Sequence, residues 1–338
     1  MKKLLQGNEA IVEGAIKAGI GFFAAYPITP ASEIMHTMAK KNVEFVHAED
    51  EIASISMVIG ASLAGAKSMT STSGPGMSLK QEGIGLAHMM EIPTVIVNVQ
   101  RVGPSTGMPT LPSQADILQT KYGSHGDYYP IVFYPNSVEE CYRYAIEAFN
   151  AAEESLSPVT LLSDGFIGHL YENIDIDNID IKIVNRKREP FGKGNRHFTG
   201  LVSEYGIPKT KDPAYYRRWL KEMKEKIDNT AKNYNFHEYN KKENSDTLLI
   251  AYGITSRVIA PLKDKYSIFR PIRIFPILDN ELIEAAKNHK NIVVIEMNDG
   301  QYKGEIEKLL KKDIHLIDIQ GGSISLKEIE CRLKQLGV

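Results

Sequence analysis

The stretch HAEDEIASISMVIGASLAGAKSMTSTSGPGMS, residues 47–78, decides how this chain is read. Glu51 opens a segment of helical period whose solvent-excluded face is expected to carry Ile52, Ile55, Ile59, Gly60 and Leu63. A carboxylate there meets the unsatisfied N–H groups and the dipole of the helix start. Asp50 and Glu51 therefore read either as ordinary acids complementing a helix N-terminus or as a site acid set on an apolar face. A strand-like run, SMTST, then ends in Thr72-Ser73-Gly74-Pro75-Gly76, where the next helix begins. Two glycines flanking a proline allow close backbone approach, and the new helix start leaves N–H groups free for a ligand or a partner's loop. Taken alone, the same turn is equally a tight strand-to-helix connection.

Upstream, FFAAYPITPASE (22–33) places two prolines after an apolar run. Proline fixes φ and lacks an N–H, so Tyr26-Pro27-Ile28-Thr29-Pro30 cannot be the middle of a strand or helix. It reads as a shaped corner at a strand's end, holding the hydroxyls of Tyr26 and Thr29. Downstream, VIVNVQRVGPSTGMPTLPSQADILQTKYGSHGD (95–127) is a strand running through Arg101 into a loop with few apolar anchors. A guanidinium at a strand end suits bidentate recognition of a carboxylate or phosphate, and it suits a surface salt bridge equally well.

These motifs sit in an α/β rhythm. GNEAIVEGAIKAGI offers Asn8 as a helix cap and Gly19 as its stop, and VEFV, SMTST, TVIVNV, PIVFY and SPVTLL are strands separated by helical segments. The alternation predicts a parallel sheet covered by helices on both faces, with ligands beyond the carboxyl ends of the strands. This domain is expected over residues 1–175. Residues 176–245, rich in lysine and tyrosine, read as a connector or interaction arm with one amphipathic helix around Tyr215 to Ile227. A second, smaller α/β domain follows over 246–338, with strands in TLLIAYG, PIRIFP, NIVVIEMN and DIHLIDI.

The composition narrows the function classes. The chain has 338 residues, 43% hydrophobic and 24% charged, with a net charge of −2, so nothing marks a nucleic-acid partner. Arg186, Lys187 and Arg188 form only a short basic run. The two cysteines, Cys141 and Cys331, are far apart and support neither a disulfide framework nor a metal centre, so no metal ligand is assigned to this chain. The N-terminus has no apolar signal core, and the uncharged stretch Ile52 to Ala66 falls short of the roughly 20 residues that cross a bilayer. A soluble, cytoplasmic protein without membrane contact is expected.

With these residues in view, the chain resembles the α subunit of 2-oxoacid:ferredoxin oxidoreductases, and most of all the 2-oxoglutarate group. The motifs that carry the resemblance are GNEAIVEGAIKAG, YPITPASE, EDEIASI, TSTSGPG, NVQRVGPSTGMPTLPSQADILQ, SHGD and LLSDG, with LLIAYGITSRV and VVIEMNDGQ in the smaller domain. They span nearly the whole chain outside the connector, where only HFTGL (197–201) matches. The fold this implies is α/β: a pyrimidine-type thiamine-diphosphate-binding parallel-sheet domain plus a smaller domain like the transketolase C-terminal domain.

The resemblance also implies roles. Glu51 would hydrogen-bond the pyrimidine ring nitrogen of thiamine diphosphate and favour its imino tautomer. Thr29 would lie near the 2-oxoacid, and Arg101 would pair with the substrate carboxylate. Tyr26, Pro27 and Ile28, with Thr72, Ser73, Gly74, Pro75 and Gly76, would line the coenzyme cavity, and a loop with Ser105, Thr106 and His125 would shape substrate choice. A complete diphosphate motif is missing: Ser163-Asp164-Gly165, with Asn195 further on, lacks its first glycine and reads as a strand-end turn. The coenzyme would therefore be shared with a β subunit, which would hold Mg²⁺ and a 4Fe-4S cluster, in a heterodimer, an α₂β₂ assembly or one with further small subunits. The implied reaction is oxidative decarboxylation of 2-oxoglutarate with coenzyme A, giving succinyl-CoA and CO₂ while ferredoxin is reduced, and it is reversible in principle. Pyruvate or a branched-chain 2-oxoacid is the alternative substrate, and a non-catalytic ligand-binding or scaffold protein the alternative of another class.

Overall fold

Two sheets organise the chain, whose computed structural model describes residues 2–186 and 199–338. In the larger, the central order is Ile131–Phe133, Pro158–Asp164, Thr94–Val102, Ser68–Thr72, Phe22–Ala25 and Glu44–His47, all parallel. Thr94 to Arg101 and Pro158–Asp164 are buried along their lengths, as parallel strands covered on both faces must be. On one face the helix Gly7–Ala18 packs against Val138–Ser155, so closely that a Cβ on Gly14 would stand 2.3 Å from the Tyr142 carbonyl oxygen. On the other, Glu51–Leu63 and Gly74–Met89 enclose a cluster with Ile55, Ile59, Met77 and Ile84.

Strand order explains why the quoted motifs meet. From Phe22–Ala25 the chain goes first to the edge strand Glu44–His47, then returns to Ser68–Thr72 on the opposite side and on to Thr94–Val102. The carboxyl ends of these four adjacent strands lead into the Tyr26 corner, Glu51, the Ser73 turn and the Arg101 loop. Such a reversal of strand order opens the crevice in which α/β sheets bind ligands.

The smaller sheet has the order His237–Asn240, Ser267–Pro271, Thr247–Ala251, Asn291–Glu296 and His315–Asp318. Its first strand lies within the residues read as a connector, where no strand was expected; it pairs antiparallel with Ser267–Pro271 and closes the sheet's edge. PIRIFP is not one strand of this sheet. Pro271 ends the first strand, and Arg273–Phe275 crosses to pair antiparallel with Ile131–Phe133 of the larger sheet. The connector helix runs from Pro213 to Ala231, longer than expected, because Asp212 caps it through the N–H groups of Ala214 and Tyr215 and its Met223, Ile227 and Ala231 join the larger core. A short antiparallel pair, Lys3–Gln6 with Tyr171–Ile174, had no signal in the sequence.

Two local expectations are corrected. Asn8 is not the helix cap: the helix starts at Gly7, the Gln6 N–H donates to Glu9 at 2.9 Å, and the buried Asn8 amide donates instead to the Pro30 carbonyl at 2.9 Å and to Glu33 at 3.3 Å. On the Glu51 helix the buried face is Glu51, Ser54, Ile55, Val58, Ile59 and Ser62, whereas Ile52 is 54% exposed, Gly60 is exposed and Leu63 half-buried. Lys187, Arg188, Asn195 and the first residues of HFTGL lie outside the described residues. Among those described, no helix is long and apolar enough to cross a membrane.

The tight helix crossing gives a stability test. Gly14→Ala is expected to cost about 1–3 kcal/mol through overpacking against the Tyr142 backbone, read from urea unfolding. An unchanged midpoint would mean that the crossing relaxes.

Candidate active site

Asp50 and Glu51 divide the two jobs a helix start offers. Asp50 is the cap, its Oδ1 accepting the Ala53 N–H at 2.7 Å. Glu51 caps nothing. It is 6% exposed, and among the described residues no group donates a hydrogen bond to its carboxylate. Gly76 of the neighbouring helix lies against it: a Cβ there would stand 2.5 Å from Glu51 Oε1 and 2.2 Å from Thr72 Oγ1. Glycine is thus required at 76 by what occupies the space. The hydroxyls of Thr72 and Ser73 are buried and also lack partners.

Arg101 and the proline corner meet through a backbone group, a contact the sequence reading did not include. Arg101 is 8% exposed, and its Nη1 donates to the Thr29 backbone carbonyl at 2.7 Å, while the Thr29 side chain remains exposed. Pro30, one residue on, is tied by Asn8, so the corner is anchored from two sides. Arg101 Nε has no partner. Burial lowers the guanidinium's proton affinity, against the fields of Asp116 and Glu51. The loop after Arg101 is not free: Met108–Pro112 folds back as an antiparallel strand on the Arg101 strand.

A cavity of about 720 Å³ opens here, lined by Gly74, Pro75, Arg101, Ser105 and Asp116 and, from the smaller domain, Asn298. Thr106 and His125, expected beside Ser105, are not on its wall, nor are Tyr26, Pro27, Ile28, Thr29, Glu51, Thr72, Ser73 and Gly76; of the predicted site residues, Gly74, Pro75, Arg101 and Ser105 are. Sequence reasoning missed Asp116. Its Oδ2 accepts the Asn98 amide at 3.0 Å, its N–H donates to Gln100 Oε1 at 2.8 Å, and burial pushes its carboxyl up to about 6, against the Asn98 hydrogen bond and Arg101. The available signal was Asn98 and Gln100, two amides inside an otherwise apolar strand.

The smaller domain fixes this loop. Gln114 Nε2 donates to the Tyr252 carbonyl at 2.8 Å and its Oε1 accepts the Met297 N–H at 3.0 Å. Gln301 holds both the Ala115 carbonyl, at 2.6 Å, and the Leu118 N–H, at 3.0 Å. Asp164, from the incomplete diphosphate motif, is turned into the same seam, accepting the Ile167 N–H and the Tyr134 hydroxyl, both at 3.0 Å, and the Ile254 N–H at 3.3 Å. Among the described residues no group of His, Cys, Asp or Glu could hold a metal ion.

Residues 13–258 match the family model described as pyruvate flavodoxin/ferredoxin oxidoreductase, thiamine-diphosphate-binding. The chain belongs to this family. It is 43% identical to the 2-oxoglutarate synthase subunit KorA of Archaeoglobus fulgidus, over 91% of each chain. To the ketoisovalerate oxidoreductase subunit VorB of Methanothermobacter marburgensis it is 34% identical, over 99% of this chain and 97% of the other. The 2-oxoglutarate:ferredoxin oxidoreductase of Magnetococcus marinus, solved with 2-oxoglutarate, coenzyme A and succinyl-CoA, superposes with a TM-score of 0.92 at 32% identity. That match covers 99% of this chain and 65% of that one.

Glu51 is thus a carboxylate on a nearly buried residue, without a donor among the described residues, in a space that a single added Cβ would fill. Gly76→Ala should therefore displace the carboxylate and lower turnover on the order of a hundredfold, the effect of a misplacement of about 1 Å, with the circular dichroism of the fold retained. Full activity in that variant would detach Glu51 from the site. Asp116 gives a pH test. The folded state keeps its proton up to about 6 while the unfolded state releases it near the ordinary 3.8, so stability falls as pH rises between the two. Asp116→Asn should remove that decline in denaturant titrations at a series of pH values, and an identical pH profile would contradict the assignment.

Proposed function

We infer that this chain is the α subunit of a 2-oxoacid:ferredoxin oxidoreductase that oxidatively decarboxylates 2-oxoglutarate with coenzyme A to succinyl-CoA and CO₂, reducing ferredoxin. The observation that carries this reading is the unpartnered Glu51 carboxylate packed on Gly76 beside the cavity that holds Arg101. The similarity to 2-oxoglutarate synthase subunits, higher than that to the ketoisovalerate subunit, supports the substrate.

Bound thiamine diphosphate supplies the carbon nucleophile and the electron sink of the reaction. Glu51 holds a proton at the pyrimidine ring nitrogen; its burial strengthens that charge-assisted hydrogen bond. Arg101 spends one donor on the Thr29 carbonyl, which orients the guanidinium, and offers its remaining N–H groups to the carboxylate of the 2-oxoacid. Thr29, carried on a doubly anchored corner, is held at the rim within reach of the same substrate. Ser73, Gly74 and Pro75 form the turn that would help hold the coenzyme.

A β subunit completes the site. The Glu51 helix exposes Ile52 and Met57, and Tyr26, Leu79 and Met108 are large exposed side chains on the proline corner, the Gly74–Met89 helix and the strand Met108–Pro112. We assign this apolar rim to the subunit that grips the diphosphate through Mg²⁺ and carries the 4Fe-4S cluster, which needs more thiolates than the two cysteines of this chain.

The test is reduction of a one-electron dye by the complex of both subunits with thiamine diphosphate, Mg²⁺ and coenzyme A. Turnover should prefer 2-oxoglutarate over pyruvate and 2-oxoisovalerate. Glu51→Gln should lower kcat by about 10²–10⁴-fold, the usual contribution of a proton-holding side chain, and Arg101→Lys should mainly raise KM for the oxoacid. Equal rates with Glu51→Gln, or no turnover from a complex loaded with coenzyme and cluster, would sink the reading.

A further inference from the structure

Lys80 stands on the Gly74–Met89 helix and is 0% exposed. Its Nζ donates to the backbone carbonyl of Glu51 at 3.2 Å and to the Ser54 hydroxyl, which in turn donates to the same carbonyl at 3.0 Å. Among the described residues no carboxylate forms an ion pair with it. Lys80 and Glu51 are both off the cavity wall that Ser78 and Leu79 join, and the bonds to Glu51 and Ser54 put the Lys80 nitrogen under the first turn of the Glu51 helix. Burial lowers its pKa to about 7, against the fields of Glu51 and Asp50. A buried ammonium without an ion pair is expensive, and a leucine or methionine would fill this place at lower cost.

We propose that Lys80 is a positioning residue for Glu51: it fixes the backbone from which the carboxylate projects and, in its protonated form, sets a positive charge beneath it. This rests on the reading of Glu51 as the acid that shares a proton with the pyrimidine ring nitrogen. A cation on the protein side of that pair stabilises the carboxylate more than it opposes a proton on the ring, because the ring lies on the cavity side. The shared proton is thereby biased toward the ring, the state the coenzyme needs for activation. The same group ties the Glu51 helix to the helix that begins with the Ser73 turn, so carboxylate and turn move as one unit.

The experiment uses the complex of both subunits, with Lys80→Met, which removes both bond and charge, and Lys80→Gln, which keeps a donor and removes the charge. Two quantities are read: thiamine diphosphate affinity, and the near-ultraviolet circular dichroism that distinguishes the amino from the imino form of the bound pyrimidine. Lys80→Met should weaken affinity and reduce the imino population, together about tenfold or more, the size of one pKa unit of bias, and Lys80→Gln should recover affinity but not the imino signal. The thermal midpoint of neither coenzyme-free variant should fall. Wild-type tautomer signals in both variants, or a loss that follows the fraction unfolded, would overturn the proposal. If the wild-type complex itself showed no thiamine diphosphate binding, the functional reading would fail first.

Discussion

Glu51 is 6% exposed, its carboxylate meets no donor among the described residues, and its neighbourhood is arranged so that it stays in that condition. Asp50 takes the helix-capping role that would otherwise draw the side chain outward. Gly76 leaves room where any other residue would collide with Oε1. Lys80 holds the carbonyl of the same residue from behind. None of the three neutralises the acceptor by direct hydrogen bonding, so its unmet demand is available to a ligand. A core optimised for stability would have no reason to leave it.

Arg101 meets the second demand, rigidity at the rim, by a different route. An arginine bonded to a surface carboxylate would have its fork occupied. Here one N–H is given to a backbone carbonyl, which fixes the side chain without cancelling its charge. The corner that supplies the carbonyl cannot drift, because Asn8 grips the adjacent Pro30 carbonyl from a helix packed on the sheet's other elements. Two prolines make the corner stiff, and a buried amide makes it stationary.

Much of this was legible from residues 22–33, 47–78 and 95–127, because parallel strands write continuous apolar runs and their carboxyl-terminal turns write glycine and proline. Thr29 and Arg101 were each expected beside the substrate, but the bond between the Arg101 guanidinium and the Thr29 backbone carbonyl was not legible, because a backbone acceptor leaves no mark in the sequence. Ile52 and Gly60 were placed on the buried face because their apolar or small character fits one, and helical periodicity cannot tell a surface turned to the core from one turned to another chain. Asn8 read as a cap because asparagine favours that position, and tertiary contact to Pro30 overrode the preference. Lys80 had no readable signal, since a lysine among polar residues is ordinarily on a solvated face.

The smaller domain, in which the sequence reading placed no site residue, holds the segment that carries Asp116. Asp116 sits on a segment whose own backbone makes little regular structure, between the strand Met108–Pro112 and the short helix Ile117–Tyr122. Such a segment cannot hold a carboxylate to a fraction of an ångström unaided. Gln114, Asn298 and Gln301 supply what is missing, bonding side-chain amides to backbone groups across the seam, and Asn298 is itself locked by Glu296 at 3.0 Å and the Tyr252 hydroxyl at 3.1 Å. Amide-to-backbone bonds of this kind are directional and carry no net charge, so they set position without altering the field that Arg101 and Asp116 create. The smaller domain thus holds the Asp116 segment through neutral amides, while the oxygens of its buried Glu296 are taken by Tyr252, Asn298 and the N–H groups of Tyr302 and Lys303. Removing the smaller domain would leave the sheet and its motifs in place and release Asp116, which makes that domain part of the site's geometry rather than an attachment to it.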